Sequence, residues 1–97
     1  MNKKTVFISG SSRGIGKAIA LHFAKQQYHV FLNCKTSISE LDAVASEIST
    51  IPGGSCTKLI GDVSDPVAVK KLFAKVYTLC NHLDVLINNA GISYTGL

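Results

Sequence analysis

The stretch Thr5-Val-Phe-Ile-Ser-Gly-Ser-Ser-Arg-Gly-Ile-Gly16 decides the fold of this chain. A short apolar run breaks into three glycines and then becomes an amphipathic pattern, which predicts a strand, a tight turn and a helix start. Glycine lets the backbone approach a ligand closely, and the N–H groups and dipole of a first helical turn favour an anion. The candidate anion-binding residues are Gly10, Ser11, Ser12, Arg13, Gly14, Ile15 and Gly16.

Apolar strands and amphipathic helices alternate along the rest of the chain. We predict strands at residues 5–9, 29–33 and 56–60 and a fourth that starts at residue 83 and runs into Asn88. Helices are predicted at about 13–26, at 37–49 and from Pro66 onward. Nearly continuous apolar strands are typical of a parallel sheet that is covered on both faces. The pattern therefore predicts an α/β fold with a doubly wound parallel sheet.

The helix patterns also predict buried faces and caps. For the first helix, the predicted buried stripe is Ile15, Ala18, Ile19 and Phe23, with small Ala20 and Ala24 beside it. Ser37 and Glu40 have the spacing of a capping box at the second helix. Asp65 is the predicted N-cap of the third helix, with Pro66 at the first helical position, where its missing N–H is tolerated.

Composition indicates a single globular domain. The chain has 97 residues, 46% of them apolar, and its net charge is +4. Residues 1–35 carry six cations and no acid, whereas residues 36–97 carry four cations and six acids, so the positive charge surrounds the glycine turn. A small polyanionic ligand explains this asymmetry better than nucleic acid, which would need a basic helix face or aromatic platforms. No run is long enough for a membrane span or a signal peptide, and we expect a cytoplasmic protein with no membrane partner.

The cysteines and histidines form no catalytic or metal-binding pattern. Cys34, Cys56 and Cys80 are widely separated and lack a C-x-x-C pair. His22, His29 and His82 are not at ligand spacing. We therefore expect reduced cysteines that pack in the core, and no metal.

Three motifs, taken together, resemble those of the short-chain dehydrogenases/reductases. Residues 9–16 resemble the T-G-x-x-x-G-I-G turn of that family, with Ser9 in place of Thr. Asp62-Val63 follows the third strand, and Asn88-Asn89-Ala90-Gly91 resembles the N-N-A-G motif. The resemblance implies the first half of a Rossmann-type sheet in strand order 3-2-1-4. Relatives usually have glycine at the position of Gln27, so local strain is expected there.

The resemblance also implies a cofactor and the residues that hold it. NAD enzymes place an acid after the second strand, but here that position corresponds to Cys34 and is followed by Lys35. Lys35 and Arg13 are suited to a 2′-phosphate, which favours NADP(H). In the family, the pair equivalent to Asp62 and Val63 contacts the adenine. Asn89 is expected to approach the nicotinamide ribose over the low backbone of Ala90 and Gly91, while Asn88 is expected to be structural.

By resemblance, the activity is NADPH-dependent reduction of a carbonyl to an alcohol. The motifs are most similar to those of bacterial 3-oxoacyl-[acyl-carrier-protein] reductases of fatty acid synthesis. The substrate would then be a small or carrier-protein-bound carbonyl compound, and the parent enzyme a homotetramer. Residues 91–97 are similar to reductases that act on 5-aminopentanone-modified elongation factor P, which leaves a second reductase open. The family's Ser, Tyr and Lys catalytic residues have no match here, since no lysine follows Tyr94.

We therefore expect residues 1–97 to be the N-terminal portion of one NADP(H)-binding domain, truncated before the catalytic residues and inactive alone. An alternative is a non-catalytic chain that only binds nucleotide or caps a partner's sheet. Nucleic-acid binding is a third hypothesis, which the charge distribution disfavours.

Overall fold

The computed structural model describes residues 3–90, in which strands and helices alternate without interruption. The elements are β1 (Thr5–Ile8), α1 (Gly14–Lys25), β2 (His29–Cys34), α2 (Ile38–Ser49), β3 (Ser55–Ile60), α3 (Pro66–Leu79) and β4 (Val85–Ile87). Each strand or helix that the sequence patterns predict is present. Its ends differ from the prediction by one or two residues.

The four strands form one parallel sheet in the order β3-β2-β1-β4, so the predicted fold class and strand order are confirmed. In the register, Thr5 pairs with His29 and Val6 with Val85. Because the strands are parallel, the turns that follow them all meet at the carboxyl edge of the sheet. The glycine turn, Lys35, Asp62 and Asn88 are thereby brought to one place from four distant parts of the sequence.

The two central strands, β1 and β2, are buried on both faces, which explains their nearly continuous apolar sequences. Side chains alternate between the two faces along each strand. Val6, Ile8, Val30 and Leu32 pack on one face against residues of α1 and α2. Phe7, Phe31 and Leu59 pack on the other face against Leu72 and Val76 of α3.

The predicted buried face of α1 is confirmed for Ala20 and Ala24 and wrong for Ile15 and Ala18, which are exposed. The helix buries its small residues, Gly16, Ala20 and Ala24, while Ile15 is 59% exposed. Small side chains allow the helix axis to come close to the sheet, and this close approach defines the buried side. Ile19 and Phe23 are only partly buried and pack at the flank of the core.

The predicted N-cap of α3 is confirmed, whereas the predicted capping box of α2 is wrong. Asp65 caps α3, since its Oδ1 accepts a hydrogen bond from the backbone N–H of Val67 at 3.0 Å, and Pro66 begins the helix. Ser37 is the N-cap residue of α2 but makes no side-chain cap bond. Its hydroxyl lies 2.6 Å from that of Ser12 instead, so the predicted capping box with Glu40 does not form.

Gln27 has φ +67°, the left-handed conformation that the comparison with glycine-bearing relatives led us to expect. We predict that Gln27→Gly raises the free energy of unfolding by up to about 1 kcal/mol, because glycine removes the left-handed penalty. The lost hydrogen bond from Nε2 to the Pro52 carbonyl, 2.8 Å long and exposed, offsets part of this gain. Gln27→Ala is the control, since it loses the same bond and keeps the strain. In urea unfolding, the free energy of unfolding should be highest for Gln27→Gly, lower for wild type and lowest for Gln27→Ala. Any other order would contradict the assignment of backbone strain to Gln27.

His29 joins β2 to β3 at the amino edge of the sheet, away from the glycine turn. Its ring nitrogens lie 2.9 Å from the Ser55 hydroxyl and 2.8 Å from the Thr57 hydroxyl. Burial, and secondarily the charge of Lys3, lower the pKa of His29 below its ordinary 6.5.

The lowered pKa predicts how stability depends on pH. The unfolded chain binds a proton at His29 more readily than the folded chain. The free energy of unfolding therefore falls as pH decreases below about 6.5, and it stops falling once pH is below the pKa of His29 in the folded chain. The stabilisation is complete at higher pH. Urea unfolding between neutral and mildly acidic pH should show this decline, and His29→Gln should remove part of it. His22→Gln is the control, because His22 is exposed; an equal effect of both changes would contradict the assignment.

Candidate functional site

A cleft of about 510 Å³ lies at the carboxyl edge of the sheet, where the turns after all four strands meet. Seven of the thirteen residues predicted to bind a cofactor line it: Gly10, Ser12, Arg13, Lys35, Asp62, Val63 and Ala90. Asn33, Thr36, Ser37, Ser64 and Asn88 also line it, and the sequence patterns did not assign them a ligand. The topology thus brings the three motifs to one cavity.

The glycine turn after β1 has the geometry that its spacing predicts. Gly10 and Gly14 have φ of +62° and +60°, which other residues rarely adopt. An ideal Cβ on Gly16 would overlap the backbone carbonyl of Gly10 and lie 2.8 Å from Nδ2 of Asn89. Gly16 is therefore required for α1 to start directly against the turn.

The first turn of α1 is open to an anion. Its N-cap residue, Arg13, makes no side-chain cap bond, and the first turn contains no acidic residue. The N–H groups at a helix start lack intrahelical partners and carry part of the positive end of the dipole. Phosphate oxygens are suited to such a position.

Asn33 holds the floor of the cleft together, a role that was not predicted from the sequence. Its Oδ1 accepts a hydrogen bond from the N–H of Gly10 at 3.3 Å, and its Nδ2 donates to the carbonyls of Leu59 and Gly61 at 3.0 and 3.1 Å. Ser11 is fully buried and bonds the backbone of Asn33, with the Ser11 Oγ accepting from the Asn33 N–H at 2.8 Å. The available signal was a polar residue near the carboxyl end of a largely apolar strand.

Each cation of the cleft lies near a carboxylate. Lys35 Nζ is 3.5 Å from Asp62 Oδ2, and Arg13 Nη1 is 3.6 Å from Glu40 Oε1. Asp62 also accepts hydrogen bonds from the Ser64 hydroxyl and N–H, at 2.6 and 2.9 Å. These two bonds, with a smaller effect of Lys35, lower the pKa of Asp62 below its ordinary value. Asp62 is therefore an anion that presents acceptor oxygens beside the cleft.

The two asparagines after β4 take different positions relative to the cleft. Asn89 is buried, and its Nδ2 donates to the Gly10 carbonyl at 3.1 Å, so it ties β4 to the glycine turn beneath the cleft wall. Among residues 3–90, Oδ1 of Asn89 has no hydrogen-bond partner. Asn88 and Ala90 line the cleft instead. The N–H of Ala90 donates to the Ser9 hydroxyl at 2.9 Å, which fixes this segment against β1.

Three other predicted residues belong to the turn without lining the cleft. Gly14 has open space around its Cα, and Ile15 is exposed on the first turn of α1. Ser11 lies under the turn, as described above. Gly91 lies outside the described residues.

Comparison with known proteins identifies the family. The sequence pattern of the short chain dehydrogenase family matches residues 4–97. This chain belongs to that family. It is 40% identical over 90 residues to the NADPH-dependent reductase BacG of Bacillus subtilis, and the match covers 92% of this chain and 34% of that protein. It is 37% identical over 94 residues to the 3-oxoacyl-[acyl-carrier-protein] reductase FabG of Staphylococcus aureus, covering 97% of this chain and 38% of that protein.

Solved structures of family members have the same fold. An L-sorbose reductase from Gluconobacter frateurii, complexed with NADPH and L-sorbose, is 33% identical, with a TM-score of 0.84 over 95% of this chain and 35% of that one. A metagenomic short-chain oxidoreductase in complex with NADP is 32% identical, with a TM-score of 0.85 over 96% of this chain and 41% of that one. This chain therefore has the Rossmann-type fold of these structures. It spans little more than a third of the length of the curated relatives it matches.

Residues 3–90 hold neither a cluster of metal ligands nor a helix that could span a membrane. No group of three or more potential metal ligands occurs in that range. None of the helices described for this chain is long and apolar enough to cross a bilayer. Cys34, Cys56 and Cys80 are free thiols, and Cys34 is buried beside the cleft.

Proposed function

We propose that this chain binds NADP(H) in the cleft at the carboxyl edge of the sheet. The observation that carries the proposal is the combination of a glycine turn at a helix start with Lys35 and Arg13 on the wall and Cys34 where NAD-binding folds carry an acid. A cation pair suits the 2′-phosphate that distinguishes NADP(H) from NAD(H). Relatives of this chain that are NADPH-dependent or complexed with NADP support the same choice.

Each part of the cofactor has a group of residues suited to it. The turn from Gly10 to Gly16 would hold the pyrophosphate, and Lys35 and Arg13 the 2′-phosphate. Asp62 and the backbone of Val63 would contact the adenine. Asn88 and Ala90, with Gly91 beyond the described residues, would face the nicotinamide ribose, whereas the buried Asn89 would act by holding the turn in place. In this proposal Asn88 and Asn89 exchange the roles that the family resemblance implied.

We propose that these residues form the cofactor-binding part of a longer carbonyl reductase. Bound NADPH supplies the hydride for such a reduction. A 3-oxoacyl thioester on a carrier protein is the first candidate substrate, supported by the similarity to FabG. The greater identity to BacG supports a second candidate, a reductase of that type. The family's Ser, Tyr and Lys, which have no match here, would be supplied by the rest of the protein.

Calorimetric titration of the full chain with NADPH and NADH tests the cofactor assignment. We expect NADPH to bind at least about tenfold more tightly, from charge-assisted contacts of about 1.5–3 kcal/mol with the 2′-phosphate. Equal affinities would overturn the choice of NADP(H), and absence of binding would overturn the proposed function. For the reaction, NADPH oxidation by the whole protein with acetoacetyl-carrier protein would support the first candidate substrate, and its absence would leave the BacG-type reductase.

A further inference from the structure

Glu40 faces the cleft's Arg13 without lining the cleft itself. Glu40 Oε1 is 3.6 Å from Arg13 Nη1, and the two side chains are 47% and 74% exposed. A single contact between exposed groups does not fix a guanidinium in one geometry, because solvent and side-chain entropy oppose it. The main effect of Glu40 on Arg13 is therefore to compensate its charge.

The position of Glu40 on α2 adds a second effect on the same part of the cleft. Thr36 and Ser37 line the cleft at the start of this helix, so the positive end of its dipole borders the cavity. Glu40 is the acidic residue of the first turn, and the Ser37 hydroxyl is bonded to Ser12 rather than to the helix. A carboxylate in that turn offsets the positive potential that an entering phosphate would meet.

We propose that Glu40 limits the affinity for the 2′-phosphate of NADP(H) and thereby reduces discrimination against NAD(H). It does so by competing with the phosphate for Arg13 and by offsetting the α2 dipole. This inference rests on the proposed binding of NADP(H) in the cleft. Glu40 acts through other groups, so it is a specificity-determining residue that touches no reacting atom.

Glu40→Gln tests the inference, with Glu47→Gln as a matched control. Glu47 is on the same helix and is paired with Lys17 at 3.2 Å, and neither of these two residues lines the cleft. Calorimetry of the full chain at low salt should show NADPH binding about two- to fivefold more tightly to Glu40→Gln than to wild type. NADH affinity should stay the same, Glu47→Gln should match wild type for both cofactors, and the gain should shrink at high salt.

The outcomes separate failure of this inference from failure of the proposed function. If wild type does not bind NADPH, or does not prefer it to NADH, the proposed function fails and the inference with it. If wild type prefers NADPH but Glu40→Gln leaves that preference unchanged or lowers it, only the inference is overturned. Equal tightening of NADPH and NADH by Glu40→Gln would also overturn it, because the effect would then lie outside the 2′-phosphate. Far-UV circular dichroism confirms that both variants are folded.

Discussion

Gly16→Ala is expected to abolish tight NADPH binding and to lower the free energy of unfolding by about 1–3 kcal/mol. The new methyl group would overlap the Gly10 carbonyl, which is backbone and cannot rotate away, and would lie 2.8 Å from Asn89 Nδ2. Either α1 or the glycine turn must then move, and the hydrogen bond from Asn89 to Gly10 is lost. Urea unfolding and NADPH titration measure the two effects.

Gly53→Ala is the control for general destabilisation. Gly53 also has a positive φ, +74°, but it lies in the turn before β3, and the atoms nearest to an added methyl group belong to the flexible side chain of Gln27. This variant should lose about 1–2 kcal/mol of stability and keep its NADPH affinity. Wild-type affinity in Gly16→Ala, or an equal loss of affinity in Gly53→Ala, would contradict the role of Gly16 in shaping the turn.

Lys35→Asp should weaken NADPH binding about tenfold or more and leave NADH binding unchanged or improved. The change removes a charge-assisted contact to the 2′-phosphate and places a carboxylate beside that phosphate. A carboxylate at the end of β2 is also the group that accepts hydrogen bonds from the ribose of NAD. Because Lys35 is 70% exposed, screening keeps the effect toward the lower end of the range for charged contacts.

Lys75→Asp provides the charge control, because Lys75 is exposed on α3 and does not line the cleft. It makes the same change in net charge and should alter neither affinity. Titrations of both variants with NADPH and NADH give four comparisons with wild type. An equal loss for the two cofactors in Lys35→Asp would contradict the assignment of Lys35 to the 2′-phosphate.

The parallel sheet could be predicted from the sequence because it depends on patterns that survive tertiary packing, whereas the strand order was implied by the family resemblance. Continuous apolar strands such as Val6–Ile8 indicate burial on both faces, and strands that alternate with helices form parallel sheets. Parallel strands then bring their following turns to one edge. Asp65 could likewise be predicted as a cap, since its side chain accepts its hydrogen bond from Val67, only two residues away.

The buried face of α1 was predicted only in part because hydrophobicity and close approach select different residues. The pattern ranks Ile15 above Gly16, yet the helix begins so close to the turn that only glycine fits on its inner side. Ile15 is left facing outward. When a helix packs closely on a sheet through small residues, the positions of its large apolar side chains therefore do not identify its buried face.

The roles expected of Asn88 and Asn89 came from the family resemblance, whereas the positions of the two side chains depend on where β4 ends. The strand β4 covers only Val85–Ile87, and the chain leaves the strand at Asn88. Which asparagine points inward is then set by the hydrogen bond from Asn89 to Gly10, a contact across 79 residues of sequence. The pairing of Ser37 with Ser12, and of Glu40 with Arg13, also depends on packing between distant segments and had no local signal.

Amide chemical shifts in a titration of the full chain with NADPH would test most directly where the cofactor binds. We predict the largest shifts in the glycine turn, residues 10–16, and at Lys35, Asp62 and Val63. Thr5, His29 and Asp84, at the amino edge of the sheet, should stay unchanged. Shifts concentrated at that amino edge, or none at an NADPH concentration that saturates binding by calorimetry, would contradict the assignment of the cleft as the NADP(H) site.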